Sequence, residues 1–133
     1  MVWNGGSHFS GLAAPPHRNN HPSGWHLPTI AEFEMLFDAV GGVKIAGKML
    51  KFTIAWENDA NGTDAFGFTA LPAGMNSPEE GSFFLGQGAL FWSSTEKSFK
   101  ETCLMILRHE DGDLGILEYT EKFVPLSVRC VKD

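Results

Sequence analysis

The fold class that the sequence predicts is α+β, with helices first and antiparallel strands last, and three observations predict it. A capped segment with helical apolar spacing occupies residues 29–40. From Ala89 onward the chain breaks into short apolar or alternating runs, and neither strand–helix–strand alternation nor an internal repeat appears. The 133 residues suffice for one domain with its own core. Hydrophobic residues at 43% against charged residues at 20% give a globular balance, and 15 glycines with 11 phenylalanines imply many turns packed around aromatic rings.

Residues 1–21 hold Gly5-Gly6, Pro15-Pro16 and Asn19-Asn20, and Pro22 follows. That density of breakers predicts an irregular N-terminal arm with at most a short strand, leaving residues 22–133 as the domain proper. Thr29-Ile30-Ala31-Glu32 reads as a capping box, in which the threonine oxygen accepts from the third helical amide and the glutamate reaches back. A helix is expected from Ile30, burying Phe33, Leu36, Phe37 and Val40 and ending at Gly41-Gly42. Val43 to Lys51 carries a second stripe (Val43, Ala46, Met49, Leu50), which predicts a short second helix dependent on tertiary packing.

Trp56 to Gly88 is dense in turn formers, including Asn61-Gly62, Pro72, Ala73-Gly74 and Ser77-Pro78, and is read as a long structured loop region. Ala89–Ser93, Cys103–His109, Leu114–Tyr119 and Leu126–Val131 are read as strands of a C-terminal antiparallel sheet. Glu110-Asp111-Gly112-Asp113 is read as a hairpin turn between the second and third of them.

Composition also removes function classes. The formal charge of −6, with 10 scattered basic residues, disfavours a nucleic-acid backbone as partner, because counterion release needs clustered Lys and Arg. No run approaches the roughly 20 apolar residues that cross a bilayer, so membrane insertion is not expected. Met1 to Leu12 lacks the basic start and apolar stretch of a signal peptide. Cys103 and Cys130 cannot build a disulfide framework and lack the spacing of zinc or redox sites.

Several strings occur in a shared order: Pro22-Ser23-Gly24-Trp25-His26-Leu27-Pro28-Thr29, Ala46-Gly47-Lys48, Asn61-Gly62-Thr63-Asp64, Phe66-Gly67-Phe68, Ala70-Leu71-Pro72, Phe91-Trp92-Ser93-Ser94-Thr95-Glu96 and Ser127-Val128-Arg129-Cys130-Val131. Together they resemble the major paralogous domain of Fibrobacter succinogenes over most of residues 22–131. The Leu-Pro-Thr segment leading into a helix also resembles the formylglycine-generating enzymes of the sulfatase-modifying-factor family and the variable proteins of diversity-generating retroelements. The resemblance implies a C-type-lectin-like fold and a bacterial protein that is secreted or part of the cell envelope. It leaves the ligand open. Position 21 is His where the family commonly has cysteine, which puts any family disulfide in doubt.

Formylglycine generation uses a pair of closely spaced cysteines on copper, a pattern that Cys103 and Cys130 do not supply, so catalysis is not expected. The two thiols are read as small buried apolar groups, a cross-strand disulfide remaining open if their strands are neighbours. Trp56-Glu57-Asn58-Asp59 resembles the Trp-Asn-Asp calcium motif of sugar-binding lectins, and Asp59, Asn61, Thr63 and Asp64 are hard oxygen donors. Calcium is therefore the one metal worth testing. Against it, the segment precedes the sheet strands, the Glu-Pro-Asn partner is absent, and Asn-Gly with Asp commonly builds turns. Trp56, Asn58, Asp59, Asn61 and Asp64 stand as candidate ligand-binding residues, with no cofactor expected.

His17, His21 and His26 lack supporting ligands at metal-site spacings and are read as solvated loop residues. Trp25 and Trp92 are read as core residues, although aromatic faces also suit sugar rings. Ser93-Ser94-Thr95 is read as strand-end hydrogen bonding, since no base is placed to activate a hydroxyl. Arg129 is expected on the sheet face opposite Val128 and Cys130, paired with an acid such as Glu118.

The expectation for function is a noncatalytic recognition module that contacts a glycan or protein through loops 53–88 and 96–101. Two other readings stand beside it. A retroelement-diversified receptor would vary at exposed C-terminal positions, and a degenerate enzyme relative would need polar groups converging in a pocket.

Overall fold

The computed structural model describes residues 3, 9–13, 23–77, 81–110, 112–121 and 124–133. His17, His21, Asp111 and most of the predicted arm lie outside them. Among the described residues the architecture is α+β, with two helices and one principal five-stranded sheet.

Strand β1 (Phe9–Ala13) comes from the predicted arm, and β2 (Trp25–His26) follows. Helix α1 (Ile30–Ala39) starts with the expected capping box: the Thr29 hydroxyl accepts from the Glu32 amide at 3.1 Å, and the Glu32 carboxylate accepts from the Thr29 amide at 3.0 Å. Its last carbonyls are satisfied by Gly41 N–H to Asp38 and Gly42 N–H to Phe37, with both glycines at positive φ. Phe33, Leu36 and Phe37 are buried, as the spacing predicts. Helix α2 is confined to Ala46–Leu50, and Val43, expected on its stripe, lies outside it and is exposed. The backbone of α2 sits against residues 113–114: Gly47 N–H donates to Asp113 O, and a Cβ at Gly47 would lie 2.6 Å from Leu114 O.

The long loop region contains more regular structure than its turn residues indicate. A 3-10 turn covers Glu57–Asp59, and β3 (Met75–Ser77) pairs antiparallel with β4 (Gly81–Phe83). Strands β5 (Gly88–Glu96), β6 (Glu101–Arg108) and β7 (Ile116–Glu121) then form a meander. The predicted final strand divides into β8 (Leu126–Val128) and β9 (Val131–Lys132), with β9 pairing with β2.

The sheet order is β1-β8-β5-β6-β7, and β8 runs parallel to β5 with Phe91 opposite Ser127. The expected all-antiparallel sheet is therefore mixed. Short strand signals state which residues extend, and they carry no information on a partner far away in sequence.

Alternation along the central strands buries both faces of the sheet. Phe91, Met105 and Leu107 meet Phe33, Phe37 and Leu50 from the helices, while Trp92, Leu104 and Ile106 meet Leu27, Leu126, Val128 and Cys130. Trp3 packs 5.4 Å from Phe33 and 5.5 Å from Phe68, centroid to centroid, and bridges to Val131. No described helix is long and apolar enough to cross a membrane.

Candidate functional site

The loop that carries most of the predicted site residues is built around the free end of α2. The last carbonyls of a helix have no partner within it. Here Thr63 N–H donates to Lys48 O, Ala65 N–H to Met49 O and Asp64 N–H to Lys51 O, so the Asn61-Gly62-Thr63-Asp64 string closes the helix. Gly62 is required by that approach, because a Cβ there would lie 2.4 Å from Lys51 O.

The side chains of the string are engaged in the same task. Asn61 Oδ1 accepts from Trp56 N–H at 3.0 Å, and the two carboxylate oxygens of Asp64 accept from Thr69 N–H and Thr69 Oγ1–H, each at 2.7 Å. The Asp64 pair accounts for Thr69, a β-branched residue held at φ 54°. Trp56 is buried, its indole N–H donating to Ala70 O at 3.1 Å. Of the five candidate residues, Asn58, Asp59 and Asn61 are exposed, the first two side by side at φ 56° and 57°. The oxygens of Asn61 and Asp64 nonetheless accept from these loop donors, and no group of three or more His, Cys, Asp or Glu converges in metal-binding array among the described residues.

Two buried cations, of which the sequence marks out only Arg129, fasten this loop to the sheet. Lys51 is 1% exposed, and its ammonium donates to Arg108 O at 2.6 Å and Gly112 O at 2.7 Å while lying 4.7 Å above the Trp56 ring. Arg129 is buried beneath the loop. Its guanidinium donates to Phe68 O at 2.6 Å and stacks 4.4 Å from the Phe68 ring. Burial pulls Arg129 down to about 10, with the charge of Asp64 opposing, so it remains a cation at neutral pH. The expected pairing with Glu118 is corrected: Arg108 takes that acid at 3.3 Å. β8 stops at Val128, so strand alternation no longer governs residue 129.

The Glu57–Asp59 turn leads to a cleft of about 210 Å³ at the entry to β5. Glu57 N–H donates to Gly86 O, and the Gln87 amide donates to the Glu57 carboxylate at 3.0 Å. Phe84, Leu90 and Ile106 give the cleft its apolar wall, and Arg108, His109 and Glu110 its polar one. His109 Nδ1 faces Gln87 O at 3.1 Å, and since a carbonyl only accepts, that nitrogen carries the proton. Phe84 is 52% exposed at φ 60°, a conformation that costs a bulky L-residue roughly 1–2 kcal/mol. Leu85, Phe66 and Ile54 are also exposed on these loops.

Other sequence readings resolve locally. The Lys97–Lys100 turn follows the far end of β5, about 26 Å from the cleft at strand rise. Ser93 Oγ–H donates to Cys103 O, Ser94 Oγ–H to Leu27 O, and Thr95 Oγ1 accepts from Ile30 N–H, all fastening strand to neighbour. Cys103 and Cys130 are both buried, and burial pushes each thiol up, which makes them poor thiolates. Trp92 is fully buried and Trp25 partly so, against the same cluster.

Comparison with curated proteins and with solved structures gives no match. The sequence model of one family, the Fibrobacter succinogenes major domain, matches residues 4–132, and the chain belongs to that family.

Proposed function

We propose that the chain is a noncatalytic recognition module on a C-type-lectin-like scaffold, working in the cell envelope or outside the cell, and that it binds a glycan or protein through loop 53–74 and the turn before β5. The support for the location is the family. The observation that carries the binding surface is Phe84, a half-exposed aromatic kept in left-handed backbone geometry at the rim of a mixed apolar and polar cleft. Strained residues with exposed side chains persist only where their surroundings hold them, and they concentrate at ligand-binding positions. Loops fixed to a rigid frame suit recognition because little ordering remains to be done on binding.

Calcium is not part of this reading, because Asn61 and Asp64 direct their oxygens to Trp56 and Thr69. The test is a glycan and protein array probed with the full chain, in calcium and in chelator, with Phe84→Ala and Phe66→Ala alongside. Binding is expected to survive the chelator and to fall at least about tenfold in Phe84→Ala, the loss typical of a central aromatic contact. Binding that disappears in chelator, or that ignores both substitutions, refutes the proposal.

A further inference from the structure

His26 stands between two carboxylates that belong to distant parts of the chain. Its Nδ1 lies 2.7 Å from Asp133 Oδ1, and its Nε2 lies 3.0 Å from both oxygens of Glu32. A neutral imidazole has one N–H and one lone pair, so it can satisfy only one carboxylate and must turn its lone pair on the other. Only the imidazolium donates to both. The arrangement therefore demands a proton that an ordinary histidine begins to lose near neutrality.

What the ring joins gives this a structural consequence. Glu32 is the third residue of α1 and closes its capping box through the Thr29 amide. Asp133 follows β9, which pairs with β2 over only Trp25–Lys132 and His26–Val131, and Asp133 N–H donates to Gly24 O at 3.0 Å. Two residues per strand is far too short a ladder to persist alone. We propose that His26 is a pH-operated latch, whose imidazolium fastens the end of β9 to the first turn of α1 and releases it when the ring gives its proton to solvent.

The charged groups facing the ring among the described residues are Glu32 from α1 and Asp133 from the end of β9. Lys132, between Val131 and Asp133, alternates to the other face of its strand. Asp133 raises the His26 proton affinity most, burial opposes it, and Glu32 adds to the rise, so the ring lies above its ordinary value. Burial pushes Glu32 up, while the Thr29 amide and His26 outweigh that and hold it below its ordinary value. The His26 contribution is then complete below the ordinary histidine value and lost as pH rises through the raised one. The Glu32 contribution is lost as pH falls through its lowered one. The latch is closed between those limits.

Ring titration by NMR on the full chain, together with amide-exchange protection factors for the β2–β9 pair, tests this. His26 is expected to titrate above about 6.5, and protection at Asp133 N–H and its neighbours is expected to fall several-fold across the same midpoint. His26→Gln should flatten that pH profile. Asp133→Asn, at an exposed position, should lower the His26 midpoint and shrink the fall in protection, which keeps the test available if the first variant folds poorly. A His26 midpoint at or below the ordinary value, or β2–β9 protection equal on both sides of the midpoint, overturns the proposal.

Discussion

Arg129 places a buried charge beneath the loop, and its cost in desolvation is offset by the Phe68 carbonyl, the Phe68 and Phe91 rings and the nearby Asp64. Arg129→Met keeps the stem packed and removes the donors, leaving a buried carbonyl unsatisfied. A loss of about 2 kcal/mol is expected in urea unfolding, and an unchanged midpoint would show that the guanidinium is dispensable. Asp64→Asn retains one acceptor for Thr69 and should cost about 1 kcal/mol. Calcium should shift the melting temperature of neither wild type nor this variant. At this scale the sequence was partly readable. It marked Asp64 and Asn61 as special without telling ligand donors from loop fasteners, because both tasks use the same oxygens. Lys51 gave no signal at all, since a lysine after a helical stripe ordinarily points to water.

Elements whose determinants are local were legible, and elements defined by remote partners were not. The start of α1 could be read because both halves of the capping box lie within four residues, and Thr29→Ala should cost about 1 kcal/mol of stability. The β3–β4 hairpin was hidden because Pro78 and Gly81 resemble ordinary loop. The division of the last predicted strand was hidden as well, because β8 and β9 pair with different partners, β5 and β2, across an apolar stretch that runs through Cys130. For α2 the close approach matters more than propensity. Gly47→Ala drives a methyl into the Asp113–Leu114 backbone, and thermal melts should show a loss of about 1–3 kcal/mol even though alanine is the better helix former.

On the scale of the whole molecule, the sheet is a partition between two hydrophobic clusters, one under the helices and one against β8 and the Leu27 segment. The candidate site draws its stability from the first of these, through Trp56 and Phe68, and the latch at His26 borders the second, through Trp25 and Leu27. The two-cluster plan was not visible in the sequence, where central strands such as Cys103 to Leu107 read as continuous apolar runs with no indication of which residue meets which cluster.

The parallel contact between Phe91 and Ser127 also orders events in time. β5, β6 and β7 meet their partners across short turns, whereas β8 must return past two strands before it docks, so loop closure delays it. The meander should collapse first, and β8 should arrive with β1 after the rate-limiting barrier. Leu126→Ala is therefore expected to accelerate unfolding while leaving the refolding limb of the chevron nearly unmoved, and Leu107→Ala to slow refolding. A nascent chain would accordingly hold its central hairpins before its edge exists, and would expose the unpaired side of β5 until residue 128 has been made.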